Sequence, residues 1–70
     1  MKTIKMSEMP NDGVYIDLDV SFIPYQKILF NPSKYFNMYT KYYFHCKHGI
    51  KSKEVVNYLS RLGYNVTQVV

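Results

Sequence analysis

Seventy residues, 47% of them hydrophobic and 20% charged, with a net charge of +4, amount to one small domain, and a domain of that size buries only about 60% of its unfolded surface. No apolar run approaches the roughly 20 residues of a membrane span, and Lys2 and Lys5 lead into no apolar segment of the kind a signal peptide carries. A single cysteine rules out an internal disulfide and suits a reducing, cytoplasmic setting.

The chain opens with Thr3-Ile4-Lys5, a short strand by composition, and Ser7-Glu8-Met9, at most one helical turn before Pro10. Asn11-Asp12-Gly13 is a turn, and Val14 to Asp17 a short apolar strand. Asp19 to Tyr25 is expected as loop, Ile28-Leu29-Phe30 as a short strand, and Pro32 to Met38 as a short helix capped by Asn31. Lys41 to His45 is expected as the central strand. After the cysteine, Val55, Tyr58, Leu59 and Leu62 recur at i, i+3, i+4 and i+7, which predicts one apolar stripe along a helix. Ser52 is expected to cap its start, with Glu54 near the positive end, Arg61 near the negative end and Gly63 as a left-handed stop. Asn65 to Val69 returns as a last strand. Strands alternating with helices predict an α/β fold with a mostly parallel sheet flanked by short helices, spanning residues 1–70 as a single domain.

Charge is unevenly placed. Residues 1–30 carry a net −1, while residues 31–70 carry +5 through Lys34, Lys41, Lys47, Lys51, Lys53 and Arg61 against Glu54. A field of that sign draws anions toward the carboxy-terminal half, where the only cysteine lies. Cys46 falls where the strand hands over to the helix, and the unpaired N–H groups and dipole of a helix start favour an anion. Lys47 and Lys51 add two cationic side chains to that loop. A free thiol titrates near about 8.5, and such surroundings lower that value. The residues expected to matter are therefore Cys46 as the reacting group, with Lys47, His48, Gly49, Ile50, Lys51 and Ser52 as its anion-binding loop.

The run Cys46, Gly49, Lys51, Ser52, followed in register by Leu59, Gly63, Tyr64 and Val66, resembles the active-site half of a rhodanese-like sulfurtransferase domain. Val14-Tyr15-Ile16-Asp17-Leu18 is similar to that family's Ile-Asp-Val strand, and Phe22-Ile23-Pro24 to its His-Ile-Pro turn. The resemblance implies a rhodanese-like fold and transfer of sulfur through a persulfide on Cys46, from a small anionic donor to a thiol or cyanide, with no cofactor. It also implies that Lys51 stands where the family usually has arginine. Two departures stand out: Asp19 takes the place of an arginine, and the sequence ends at Val70, before the glycine pair and closing helix that typically follow.

The same residues bear on other chemistries. In a cysteine-dependent phosphatase the loop is one residue longer and closes on an arginine; here that place is Ser52, which lacks the bidentate cationic fork phosphate needs. A zinc site of His45, Cys46 and His48 conflicts with strand alternation, which sends His45 to the opposite face. A non-catalytic interaction module of the same fold stays open because of Asp19 and the short ends. Nucleic-acid stacking on the tyrosines lacks an Arg-rich or RNP-like motif. Apolar strand positions Val14, Ile16, Tyr42 and Phe44 are expected to risk exposure, which points to self-association or a larger protein partner.

Overall fold

Alternation along Lys41–His45 (β3) sorts its side chains between two layers. Tyr42 and Phe44 enter the main core, while Tyr43 is buried on the opposite face. The computed structural model describes all seventy residues. It adds β1 (Thr3–Ile4), β2 (Val14–Asp17) and β4 (Asn65–Val69) to β3, in one sheet of order β1-β4-β3-β2 with every pair parallel. Two helices, α1 (Tyr25–Phe30) and α2 (Ile50–Arg61), and two single 3-10 turns, Met6–Glu8 and Pro32–Lys34, complete the chain. The expected α/β class and parallel sheet are therefore present. No helix is long and apolar enough to cross a membrane.

The core joins Tyr42, Phe44 and Cys46 of the β3 line and Val66 of β4 to Ile28 of α1 and to Val55, Val56 and Leu59 of α2. Phe36 seals it, presenting its ring edge-on to Tyr42 at 4.9 Å and Phe44 at 5.5 Å, the offset geometry that aromatic quadrupoles favour. The Tyr42 hydroxyl accepts the Asn37 N–H at 3.0 Å, so its polar tip is satisfied. On the other face, the connection from β1 to β2 runs from one sheet edge to the other. Near its end Asp12 accepts the Tyr43 hydroxyl at 2.5 Å and pairs with Lys41 at 3.2 Å. That hydrogen bond from Tyr43, with Lys41 beside it, holds the Asp12 carboxyl below its ordinary value.

Four expectations are corrected. Ile28-Leu29-Phe30 is the end of a helix rather than a strand. Tyr25, Ile28 and Leu29 lie at i, i+3 and i+4, and all three turn toward the core; three apolar residues alone do not distinguish the two periods. Pro32 to Met38 forms only the turn Pro32–Lys34, and Asn31 does not cap it with its side chain. Its carboxamide oxygen instead accepts the Ser33 hydroxyl. The buried stripe of α2 is Ser52, Val55, Val56 and Leu59, one turn earlier than expected, with Tyr58 half-buried and Leu62 exposed. Gly63, at φ 98°, stops the helix as foreseen. Of the strand positions thought at risk, Tyr42 and Phe44 lie under the helices, Ile16 is half-buried and only Val14 is exposed.

Candidate active site

Cys46 is the first residue past β3, and it continues the inward alternation of Tyr42 and Phe44. Its side chain therefore enters the helical layer and is only 4% exposed. Four residues later the chain is already α2, and the turn is made at Gly49, whose φ of 75° is the left-handed conformation that side chains disfavour. A Cβ there would meet nothing closer than the Gln68 amide at 3.7 Å, so the backbone angle alone demands glycine.

This sharp entry aims the first turn of α2 at the sulfur. The Ser52 N–H donates to Cys46 Sγ at 3.1 Å, and Ser52 Oγ lies 3.3 Å from the same atom. Burial pushes the thiol up, but the Ser52 hydroxyl and the N–H groups of Ser52, Gly49 and Lys51 outweigh it, leaving the thiol below its ordinary value. Ser52 has a different part from the one foreseen. It sits in the third helical position, buried, with its hydroxyl oxygen against the sulfur, while Gly49 occupies the cap position.

The lysines also differ from expectation. The Asp19 carboxylate accepts the Lys47 N–H at 2.6 Å and pairs with the Lys51 ammonium at 3.7 Å. Asp19 thus docks the β2–α1 connection onto the loop, and the ammonium of Lys51 is directed to a carboxylate. His48 and Ile50 are exposed on the loop, and with Gly49 they border a groove of about 870 Å³ that runs along α2 past Lys53, Tyr58 and Arg61. His45 faces away from Cys46, stacked on Tyr15 with Nδ1 4.0 Å from Asp17. No three His, Cys, Asp or Glu side chains converge to hold a metal.

Two residues that the sequence reading did not assign to the site belong to it. Asp19 is one. The other is Gln68 of β4, 5% exposed, whose side-chain amide donates to Ser52 Oγ at 2.9 Å and to the Gly49 carbonyl at 3.1 Å. Its signal was available: Val66 faces inward, so Gln68, two residues on, places a polar group in an apolar layer.

The assembly is a buried sulfur at the start of a helix, receiving the Ser52 N–H and lying against the Ser52 hydroxyl. The chain matches no protein-family model, and comparison with curated proteins and with solved structures gives no match.

Proposed function

We propose that the chain is a rhodanese-like sulfurtransferase or sulfur carrier that works through a persulfide on Cys46. The observation that carries this reading is the sulfur at the mouth of α2, receiving the Ser52 N–H at 3.1 Å with the Ser52 hydroxyl 3.3 Å away. The Cys46 thiolate attacks the outer sulfur of a donor such as thiosulfate. A new S–S bond forms on the cysteine, the donor's S–S bond breaks, and sulfite leaves with the electron pair. A thiolate or cyanide then attacks the outer sulfur, and the Cys46 thiolate departs from it, so the cycle needs no external oxidant. Preorganised donors around the sulfur stabilise the negative charge at both ends of the cycle without reorganising. A reducing cytoplasm, in which a lone thiol stays free, suits this chemistry.

The expected result is thiocyanate formation from thiosulfate and cyanide by the wild type and none by Cys46→Ser. Equal rates from both would refute the proposal. A second reading, an interaction module of the same fold, is favoured by the Asp19 carboxylate at the loop, which engages the cationic side chain expected to attract an anionic donor. In that case Cys46→Ser keeps the cellular role intact. Self-association through exposed residues such as Val14 and Tyr15 on β2 belongs to either reading.

A further inference from the structure

We infer that Gln68 is a positioning residue that, by filling the other hydrogen-bonding sites around Ser52, directs the Ser52 hydroxyl at Cys46 and so selects the ionised sulfur. The inference rests on the sulfur-transfer reading for its purpose, but not for its geometry.

The Gly49 carbonyl has two lone pairs, and both are taken, by the Lys53 N–H at 3.2 Å and by the Gln68 side-chain N–H at 3.1 Å. That carbonyl can only accept, so the Gln68 group facing it is the NH2 and not the oxygen; the amide orientation follows from its partner. The second proton of the same NH2 goes to Ser52 Oγ at 2.9 Å. The Ser52 hydroxyl also donates to that carbonyl at 3.4 Å, the longest of the three contacts the oxygen receives. Crowding at that carbonyl favours the sulfur, 3.3 Å away, as the hydroxyl's acceptor once the thiol has lost its proton.

With a neutral thiol the S–H donates to Ser52 Oγ, and the hydroxyl is left the long contact to a carbonyl that already receives two N–H groups. With a thiolate, or with a persulfide, the hydroxyl turns to the sulfur and the carbonyl keeps its two N–H donors alone. Gln68 thus acts on the sulfur from the far side of Ser52 and never touches it. Other titratable groups around the sulfur are Tyr25 on α1, which senses the charge of Cys46 and is pushed up to about 12 chiefly by burial and by Glu54 of α2. Asp19, Lys47, His48 and Lys51 complete the rim. None of these contacts the Ser52 hydroxyl or the Gln68 amide.

The test is the pH profile of Cys46 alkylation by iodoacetamide in Gln68→Met, Ser52→Ala and the double variant, each first shown to melt cooperatively. Gln68→Met is expected to raise the midpoint of the profile by roughly one pH unit, a loss within the range of one charge-assisted hydrogen bond. The double variant is expected to titrate where Ser52→Ala does, because Gln68 acts through that hydroxyl. In the wild type, the Gln68 side-chain NH2 resonances are expected to shift with the midpoint of the thiol and to stay still in Cys46→Ser. This second measurement decides the matter if Gln68→Met does not fold. An unchanged profile in folded Gln68→Met, additive shifts in the double variant, or amide resonances indifferent to the thiol would each overturn the inference. Absence of a persulfide on the wild type would instead remove the sulfur-transfer reading and leave the Gln68 result standing.

Discussion

Phe44→Ala is expected to lower the melting midpoint of this protein by well over ten degrees. Phe44 is fully buried at the centre of the sheet, between Tyr42 and Cys46 along its own face and against Phe36 from the connection before β3. Emptying such a site costs about 3–5 kcal/mol through lost transfer energy and the cavity left behind. A 70-residue domain has a total stability of only roughly 4–10 kcal/mol, so the loss removes between about a third and all of it. Thermal melting followed by circular dichroism checks this. A midpoint within a few degrees of the wild type would mean that the core is not organised around Phe44. Phe22→Ala, at a fully exposed position, is the matching control and should melt like the wild type.

The second large effect is chemical. Ser52→Ala removes the one side-chain hydroxyl on the sulfur while sparing the backbone N–H groups. A hydrogen bond to a charged group contributes about 1.5–3 kcal/mol, so the midpoint of Cys46 alkylation is expected to rise by about one to two pH units. The direction follows from the charge: the hydroxyl stabilises the thiolate, and without it burial, which raises the value, acts against fewer donors. Removing a donor aimed at a developing charge commonly costs about 100-fold or more in rate, so sulfur loading at neutral pH should fall steeply. Lys51→Ala supplies the contrast. The sequence reading assigns its ammonium a strong pull on the thiol, but Asp19 engages that ammonium 3.7 Å away, and the backbone N–H survives the substitution. Its profile should stay close to the wild type. Should Lys51→Ala shift the profile more than Ser52→Ala, the lysine charge and not the hydroxyl holds the sulfur.

The reversal between Lys51 and Ser52 shows what the residues disclosed in advance and what they did not. β2, β3 and β4 were legible because apolar alternation and turn residues bound each of them, and the strand-to-helix position of Cys46 followed directly. The helix after it was legible in extent, but its buried stripe was misplaced by one turn. Hydrophobicity counts Ser52 as outward, whereas the sulfur and Gln68 give its hydroxyl buried partners. α1 was misread because three consecutive apolar residues carry no period, and the half-buried Tyr25 that completes the helical spacing lies just before them. Gln68 and Asp19 act through contacts with residues 16 to 32 positions away. Local pattern is blind to such contacts, so Asp19 read only as a missing arginine.

Cys46 as a sulfur-carrying nucleophile is the centre of this account, and the intact mass of the protein after incubation with thiosulfate tests it most directly. Sγ is buried, receives the Ser52 N–H at 3.1 Å and lies 3.3 Å from the Ser52 hydroxyl. The wild type is expected to gain the mass of one sulfur atom, to lose it on addition of cyanide, and to localise it to the peptide containing Cys46, while Cys46→Ser gains nothing. A wild type whose mass does not change with thiosulfate or with a low-molecular-weight persulfide, or an adduct that persists in Cys46→Ser, would contradict it.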